Sequence, residues 1–313
     1  MTATTEALVV LGGALALDVF VGEPPNALHP VVWMGHYYRA LRRRAPKSPA
    51  AAFAYGAFMA LSGPLLFAVA AYAAARVSAP WPWLRVALEA WLLKSAFAIR
   101  ALGGAAVVVA RALAAGDLAG ARLGLRSLVS RDCSALPAPL LAAAAVESVA
   151  ENASDSLVAP LVYFVVGGVP GALAYRACNT LDAMIGYHGE TEWLGKAAAR
   201  LDDLANLVPA RLTALCIVVA SGLFPAGGAS AVGAWRCWWR DGGRTESPNA
   251  GRPMAAMAGA LGVQLEKVGH YRLGDGDAVL GAAAISRAVT LLYVACALAS
   301  ALAAAAIVWV RRG

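Results

Sequence analysis

AAFAYGAFMALSGPLLFAVAAYAAA, the stretch from residue 51 to residue 75, carries no charged side chain. A second uncharged stretch, AVTLLYVACALASALAAAAIVWV, runs from residue 288 to residue 310. A helix of about 20 mostly apolar residues is long enough to cross the hydrocarbon core of a bilayer. Both stretches meet that length, so the sequence predicts two transmembrane helices, and the rest of the chain is interpreted around them.

Three further segments are apolar but interrupted. Residues 157–174 contain Pro160 and Pro170, residues 207–224 contain Arg211, and residues 7–21 contain Asp18. Backbone groups in lipid must hydrogen-bond internally, and these segments are too long for barrel strands. The predicted fold class is therefore all-α, a polytopic integral membrane helical bundle with about five transmembrane helices plus interfacial amphipathic helices. We interpret residues 1–313 as a single membrane-embedded domain.

The interfacial helices are expected in residues 84–146, where basic side chains are spaced among alanines and leucines. Such a pattern is amphipathic rather than uniformly apolar. We favour interfacial helices with solvated basic faces, and the alternative is a cationic wall for an anionic substrate. The basic residues concerned are Lys94, Arg100, Arg111, Arg122 and Arg126.

The composition agrees with a membrane protein. Of 313 residues, 60% are hydrophobic and only 14% are charged, whereas soluble domains carry roughly a quarter charged residues. The net charge of +7 comes from basic residues beside apolar runs. We therefore expect the lipid bilayer as a partner and no nucleic acid. The five cysteines form no CxxC pair, which argues against a zinc site or a disulfide framework.

Basic loops predict the orientation. The densest one holds Arg39, Arg42, Arg43, Arg44 and Lys47 directly before the span at 51–75, and basic loops stay in the cytoplasm. With five crossings, Arg311 and Arg312 also place the C-terminus inside. The same count sends residues 235–287 outside, although that loop is basic too. We expect a cell (inner) membrane protein with its active site on the cytoplasmic side.

The densest polar cluster, YRACNTLDAMIGYHGETEWLGKAAARLDDLANLVPAR, covers residues 175–211. On a helix, Arg200 lies three residues before Asp203, and Asp202 four before Asn206, so each pair shares a face. One or two carboxylates plus substrate phosphates are the usual ligands of Mg²⁺. The cluster therefore indicates a magnesium–phosphate site, and the alternative is a solvated interfacial helix with local ion pairs.

A second cluster, ESVAENASDS, covers residues 147–156. Its carboxylates, Glu147, Glu151 and Asp155, recur every four residues and would form one acidic stripe on a helix. Like charges at that spacing repel each other unless a metal or cations neutralise them. We infer a ligand site here, with a water-facing stripe paired with arginines such as Arg131 as the alternative.

A proline-rich loop, DVFVGEPPNALHPVVWMGH at residues 18–36, predicts a rigid path between helices. It contains His29 and His36, but no zinc-binding spacing, and we assign no metal to them.

The stretch SPNAG, residues 247–251, predicts a turn that precedes a helix. Exposed backbone amides at such a helix start are able to bind phosphate.

Taken in this order and spacing, these motifs resemble the cobinamide-phosphate synthase family, called CobD or CbiB. The likeness runs along nearly the whole chain. One departure is Glu23, where the family is expected to have Asp and the carboxylate is kept. The motifs that carry the likeness are GEPPNALHPVVWMG (22–35), SRD (130–132), ESVAENASDSLVAPL (147–161), YRACNTLDAMIGY (175–187), AARLDDLANLVPARLTA (198–214) and SPNAG.

The resemblance implies an adenosylcobinamide-phosphate synthase. Such an enzyme converts (adenosyl)cobyric acid to cobinamide phosphate by ATP-dependent amide ligation of (R)-1-aminopropan-2-ol phosphate to the free propionate of the corrin. It implies Mg²⁺ as cofactor and ATP as co-substrate. The expected partners are the corrinoid, the amino alcohol phosphate and lipid, and a homo-oligomer is compatible with this assignment.

Charge and position suggest roles for individual residues in and near the matched stretches. We expect Glu147, Glu151, Asn152 and Asp155 to be catalytic. We expect Asp182, Asp202 and Asp203 to bind the metal. The expected contacts to substrate and phosphate are Arg131, Asn179, Lys196, Arg200, Arg211, Ser247 and Asn249.

The competing hypothesis is a membrane transporter or scaffold protein of the AmpE-like type. Ionisable residues inside a membrane also mark ion and substrate pathways. A transporter often shows paired halves with inverted hydropathy, which this sequence does not display. The enzyme hypothesis is therefore favoured.

Overall fold

The computed structural model describes residues 2–186, 189, 191–225 and 230–310. Regular structure in these ranges is almost entirely helical, which confirms the predicted all-α class, with one short antiparallel hairpin. The helices are α1 (Ala3–Phe20), α2 (Pro30–Arg42), α3 (Pro49–Ser78), α4 (Pro82–Ser95), α5 (Ile99–Ala114), α6 (Leu118–Leu125), α7 (Ala138–Ala153), α8 (Ala159–Ile185), α9 (Glu192–Ala205), α10 (Leu207–Leu223), α11 (Ala231–Asp241), α12 (Gly251–Leu261) and α13 (Ala282–Val310). The strands are β1 (Leu265–Lys267) and β2 (Tyr271–Leu273).

Five described helical segments are long and apolar enough to cross a membrane. They are Ala3–Phe20, Pro49–Ser78, Pro82–Ala114, Ala138–Ile185 and Ala282–Val310, and the bent pair α9–α10 brings the number to six if it forms one span. Both uncharged stretches thus lie in helices that are long and apolar enough to span a membrane, as predicted. Arg311 and Arg312, on which the inward C-terminus depends, lie outside the described residues.

The positions of the spans correct the sequence interpretation in two places. Interfacial helices were expected throughout residues 84–146, but Pro82–Ala114 qualifies as a span, whereas α10 qualifies only together with α9. Lys94, Arg100 and Arg111 made the former segment look amphipathic. Lys94 is 1% exposed and pairs with two carboxylates, so this cation needs no contact with water.

The chain forms two compact units that alternate along the sequence. Unit 1 contains Met1–Ala98, Ala159–Asn206 and Leu302–Gly313, and unit 2 contains Ile99–Val158 and Leu207–Ala301. That they fold together as one domain stays a prediction.

Unit 1 is organised around α3, which packs against α8 and α9. A side chain at Gly56 on α3 would overlap the carbonyl oxygen of Leu194 on α9, so only glycine permits this approach. Elsewhere in the unit, α1 packs along α4, and α2 packs on α8. Small residues therefore bring the polar parts of α8 and α9 into a close helix cluster.

Unit 2 is organised around α12, which packs against α7, α10 and α11. Its residues are almost all buried, including Met254 and Met257. The hairpin pairs Leu265 with Leu273, and β1 packs on α7. The short strands therefore place polar residues of the hairpin beside the ESVAEN motif.

The long segment 138–185 is not one regular helix. Residues Ser154–Val158 form a π-helical turn, and Gly168 has φ 62° and ψ −159°, a conformation that interrupts α8 and that glycine alone adopts without strain. π-Turns inside α-helices are frequent at functional sites. This one contains Asp155, a predicted catalytic residue.

Candidate active site

A polar network in unit 1 centres on Asp202. Asn206 donates a hydrogen bond from Nδ2 to Oδ2 of Asp202 at 2.9 Å, and Asn179 donates from Nδ2 to Oδ1 at 3.3 Å. These three residues are the amide–carboxylate cluster. These hydrogen bonds engage both oxygens of a half-buried carboxylate, and they orient it.

Residues of α8 hold the amides in place. The Tyr175 hydroxyl donates to Oδ1 of Asn206 at 2.9 Å, and Arg176 Nη1 donates to Oδ1 of Asn179 at 3.1 Å. Tyr163 stacks on Tyr175, with ring centroids 5.1 Å apart. The amide oxygens are occupied, so each amide presents its NH₂ group to Asp202. Sequence reasoning missed Tyr175 and Arg176, although both stand in the matched motif.

Of the other predicted residues of unit 1, some lie near the amide–carboxylate cluster and others do not. Asp182 lies one turn beyond Asn179 on α8, and Asp203 lies 4.0 Å from Arg200, which is 78% exposed. Lys196 lies over the Trp193 ring, 4.6 Å from its centroid. It is six residues before Asp202, about 240° around the helix, so the structure does not bring Lys196 to the cluster.

The carboxylates of unit 1 set a limit on metal binding. Among the described residues, no group of three or more His, Cys, Asp or Glu side chains is arranged to hold a metal ion. A magnesium ion at Asp202 and Asp203 would thus take its remaining ligands from substrate phosphates and water, which is common for Mg²⁺. Each carboxylate oxygen of Asp202 keeps one lone pair beyond its amide hydrogen bond, so the donor set fits that arrangement.

A second charged cluster in unit 1 was missed by sequence reasoning. Lys94 Nζ lies 3.1 Å from Oδ1 of Asp18 and 2.7 Å from Oε1 of Glu23, and it donates to the Phe97 carbonyl at 3.0 Å. His29 Nε2 lies 3.0 Å from Oε2 of Glu23. The available signal was Asp18 inside an apolar helix, because a buried carboxylate needs a cationic partner.

Glu23 stays ionised in this setting. Burial alone would raise the pKa of its carboxyl, but hydrogen bonds from His29 and Lys94 outweigh burial, and the pKa is lowered. The proline-rich loop is therefore attached to the end of α4 by charge, and not only by its prolines.

In unit 2, the predicted catalytic and phosphate-binding residues meet at Glu147. Arg131 Nη2 donates to Oε2 of Glu147 at 2.9 Å, and Glu147 is 4% exposed. Asn152 donates to the carbonyl and hydroxyl oxygens of Ser148 at 3.0 and 3.1 Å. The alternative to a ligand site was a water-facing acidic stripe paired with Arg131. The pair with Arg131 does form, but its carboxylate, Glu147, is buried and does not face water.

The predicted acidic stripe begins on α7 and continues into the π-turn. Glu147 and Glu151 lie one turn apart on α7, but Asp155 belongs to the π-turn that follows. A four-residue step closes about one turn in either type of helix, so the π-turn does not by itself remove Asp155 from the face that carries Glu151.

The hairpin supplies two residues that sequence reasoning missed. Tyr271 faces the acidic motif: burial first, and then the negative charges of Glu147 and Glu151, raise the pKa of its hydroxyl. Its hydroxyl lies 3.8 Å from the sulfur of Met254. Lys267 on β1 is the other residue and lines a cleft with Arg131. Three-residue strands are too short for a periodic signal.

The SPNAG turn precedes α12, as predicted. The Ser247 hydroxyl accepts from the Asn249 amide at 3.3 Å, and Thr245 Oγ1 accepts from the Gly251 amide at 3.0 Å. These amides are already bonded inside the turn, which contradicts our expectation of exposed backbone donors. A phosphate here would rely on side chains.

Arg211 reaches this turn from α10. Its Nη1 donates to the Leu207 carbonyl at 2.7 Å and lies 3.4 Å from Oδ1 of Asn249. Burial, and then the charge of Arg211, lower the pKa of Arg252. The two guanidinium groups therefore lie close enough beside the turn for their charges to interact, which is suitable for an anion.

Comparison with known proteins covers nearly the whole chain. Residues 11–307 match the family model described as CobD/Cbib protein. Cobalamin biosynthesis protein CobD of Dehalococcoides mccartyi (strain CBDB1) is 49% identical over 278 residues, which are 86% of this chain and 87% of that protein. Cobalamin biosynthesis protein CbiB of Salmonella typhi is 38% identical over 306 residues, 94% of this chain and 95% of that protein.

A third relative shows a similar degree of identity. Probable cobalamin biosynthesis protein CobD of Methanothermobacter thermautotrophicus (strain ATCC 29096 / DSM 1053 / JCM 10044 / NBRC 100330 / Delta H) is 40% identical over 263 residues, 84% of this chain and 85% of that protein. No solved structure matches the chain.

Proposed function

The chain belongs to the CobD/CbiB family, and from this premise we propose that it is an adenosylcobinamide-phosphate synthase. Its role lies in cobalamin biosynthesis, with a corrinoid-related substrate. The proposed reaction joins the amine of (R)-1-aminopropan-2-ol phosphate to the free propionate of (adenosyl)cobyric acid, and consumes ATP.

One observation carries the proposal. The polar motifs shared with the family form buried or half-buried clusters, one around Asp202 and one around Arg131 and Glu147. Solvated faces of surface helices would leave these side chains in water. Fixed cations are able to offset the negative charge of phosphate groups, and fixed carboxylates are able to bind a metal ion or accept a proton, which suits a phosphate-dependent reaction.

The chemistry needs an activated carboxylate, because a carboxylate oxygen is a poor leaving group. In the first step, a propionate oxygen attacks the γ-phosphorus of ATP, an O–P bond forms, and ADP leaves. In the second step, the amine nitrogen attacks the acyl carbon, a C–N bond forms, and phosphate leaves. A base accepts one proton from nitrogen.

The chain's own residues divide these tasks. Glu151 is the candidate base, with Asn152 and Asp155 beside it along the same segment. Arg131, held by Glu147, contacts phosphate, and Arg211 does so with Ser247 and Asn249. In unit 1, Asn179 orients Asp202, while Arg200 and Lys196 supply exposed cations.

Magnesium would be held by Asp202 and Asp203, with Asp182 nearby. When bound, the ion offsets the charge of phosphate oxygens. Asn179 and Asn206 keep Asp202 oriented with or without it.

The chain is a multi-pass membrane protein by its apolar helices. We propose that it lies in the inner membrane with the active site facing the cytoplasm, where ATP is available. The basic loop before α3 supports this orientation.

Product analysis by mass spectrometry tests the proposal. Protein purified in detergent is incubated with adenosylcobyric acid, the amino alcohol phosphate, Mg²⁺ and ATP. We expect the amide-linked product only when ATP is present. Absence of product from folded protein, with several amino alcohol phosphates tried, would favour the transporter or scaffold alternative.

Asp203→Asn is the first variant to assay, because it removes a carboxylate without disturbing the hydrogen bonds to Asp202. We expect turnover to fall at least about 100-fold, typical of losing a metal ligand or its support. Glu192→Gln, at the exposed start of the same helix, is the matched control and should keep activity. Full activity of Asp203→Asn would contradict the metal assignment.

A further inference from the structure

A small cleft in unit 2 lies between the loop before α7 and the β1–β2 hairpin. Its volume is about 220 Å³, and it is lined by Arg131, Asp132, Leu136, Leu140, Glu266, Lys267, Val268 and His270. Pockets for drug-sized ligands measure roughly 300–1,000 Å³. The cleft is smaller than such pockets and suits a ligand, or part of a ligand, of a few carbon atoms.

Cationic side chains occupy part of the lining. Arg131 is held in place from behind by Glu147, with 2.9 Å between Nη2 and Oε2. Lys267 forms no ion pair within the part of the chain that the structure describes, and His270 Nδ1 lies 3.4 Å from Glu246. The ammonium group of Lys267 is thus available to an anionic ligand.

Carboxylates also line the cleft, and their hydrogen-bond partners differ. Glu266 accepts from Arg272 Nε at 2.8 Å. Asp132 instead accepts two hydrogen bonds from Ser134, one from its amide at 2.9 Å and one from its hydroxyl at 3.0 Å. These bonds lower the pKa of Asp132, so its carboxylate is negative at neutral pH.

Apolar side chains complete the lining. Leu136 and Leu140 come from the α7 side, and Val268 comes from the hairpin. The cleft therefore combines the ammonium group of Lys267, the carboxylate of Asp132 oriented by Ser134, and a small hydrocarbon surface, which an inorganic phosphate ion alone would not use.

We propose that this cleft binds a small zwitterion that carries a phosphate monoester, a primary ammonium group and a short branched carbon chain. Lys267 and Arg131 contact the phosphate, Asp132 contacts the ammonium group, and the two leucines contact the hydrocarbon. The inference rests on the proposed function in one respect: it identifies this zwitterion as the amino alcohol phosphate of that reaction. The cleft adds Lys267 and Asp132 to the residues assigned from the sequence.

Calorimetric titration with three ligands tests the proposal on the purified full-length protein in detergent. The ligands are (R)-1-aminopropan-2-ol phosphate, propan-2-yl phosphate, which lacks the amine, and 1-aminopropan-2-ol, which lacks the phosphate. We expect each truncated ligand to bind at least about tenfold more weakly than the zwitterion. Equal affinity for the zwitterion and either truncated ligand would overturn the proposal.

Two variants separate the charges of the site. Lys267→Ala should lower the affinity for both phosphate-bearing ligands about tenfold and leave the affinity for 1-aminopropan-2-ol unchanged. Asp132→Asn should lower the affinity for both amine-bearing ligands and leave the affinity for propan-2-yl phosphate unchanged. Lys47→Ala, an exposed lysine in unit 1, is the matched control and should bind all three ligands like the wild type. Loss of all three affinities together, or of none, would contradict the assigned contacts.

Steady-state kinetics distinguish failure of the cleft from failure of the reaction. If product forms, Lys267→Ala should raise KM for the amino alcohol phosphate and leave KM for ATP unchanged. A raised KM for ATP alone would overturn the cleft assignment while the reaction stands. If wild-type protein forms no product but the ligand pattern holds, the proposed reaction fails and the zwitterion site remains.

Discussion

Lys94 is the buried cation on which the N-terminal part of unit 1 depends. Lys94 and Asp18 are each 1% exposed, whereas Glu23 is 34% exposed. Removal of one partner from a buried ion pair leaves an uncompensated charge, which costs about 3–5 kcal/mol. We expect Lys94→Met to lower the free energy of unfolding by that amount, visible as a lower thermal midpoint in detergent.

A double variant separates this charge effect from lost packing. Lys94→Met combined with Asp18→Asn removes both buried charges and leaves Glu23 in partial contact with water and with His29. It should recover a large part of the lost stability. Equal destabilisation in the single and double variants would show that packing, and not charge, accounts for the loss.

Individual contacts near Asp202 were predictable from spacing. Asp202 and Asn206 stand four residues apart, and the structure joins them by a hydrogen bond of 2.9 Å. The contact from Asn179 was not predictable at this level, because 23 residues separate it from Asp202 and only the packing of α8 on α9 brings them together.

At the level of elements, α11 and α12 pack more closely than side chains would allow. A methyl group at Gly259 would overlap the carbonyl oxygen of Gly233 and the Cβ of Cys237. We expect Gly259→Ala to force the helices apart and destabilise the protein by about 1–3 kcal/mol, measured as a lower thermal midpoint.

Gly104→Ala is the matched control for that substitution. Gly104 lies on α5 in the same unit, and nothing stands within 4 Å of an added Cβ. Alanine is favoured over glycine inside a helix by roughly 1 kcal/mol, so this variant should be neutral or slightly stabilised. A destabilised Gly104→Ala would indicate that unit 2 tolerates no glycine replacement, and the argument from overlap would lose its support.

The C-terminal end of α11 is anchored by an acid-sensitive contact. The carboxylate of Asp241, which is 0% exposed, accepts hydrogen bonds from Arg240 Nε at 2.9 Å and from the Gly274 amide at 2.9 Å. Burial alone would raise the pKa of Asp241, but these hydrogen bonds outweigh it, and the pKa is lowered.

The sign of the pH dependence follows from that direction. An unfolded aspartate has a pKa of about 3.9, so the stabilisation is fully present above that value and is lost as pH falls through the lower folded pKa. The Asp241→Asn variant should be less stable than the wild type at pH 7. Its free energy of unfolding should depend less on pH below about 4. Denaturation curves at pH 7, 5 and 3 would check this, and an unchanged acid dependence would contradict it.

At the scale of the whole molecule, the number of crossings before residue 115 decides the topology. If Pro82–Ala114 crosses the membrane, residues 43–48 and the loop after α5 lie on the same side. The interfacial interpretation places them on opposite sides. The basic residues before α3 make the cytoplasm the expected side for both.

Single-cysteine labelling tests this topology. All five natural cysteines are buried, so a Ser48→Cys or Ala115→Cys variant adds one exposed thiol. We expect an impermeant maleimide to label both variants in inverted vesicles and neither in intact spheroplasts. Labelling of Ala115→Cys from outside would show that residues 82–114 do not cross.

The sequence by itself determined the membrane environment, the helical class, the family and the motifs that carry polar chemistry. These properties are local: an uncharged run such as residues 51–75 is apolar in any arrangement, and a motif such as ESVAENASDS is complete within ten residues. Capping and turn signals also act locally, which is why the SPNAG turn before α12 was predictable.

Only the tertiary structure decided which charges meet. Lys94 looked like the solvated face of an interfacial helix until its pairing with Asp18 and Glu23 was visible, 76 and 71 residues away along the chain. Lys267 and Tyr271 reached the acidic motif through a hairpin too short to leave a pattern. Periodicity describes one element at a time, whereas burial of a charge depends on partners from distant elements, and their meeting is a property of packing.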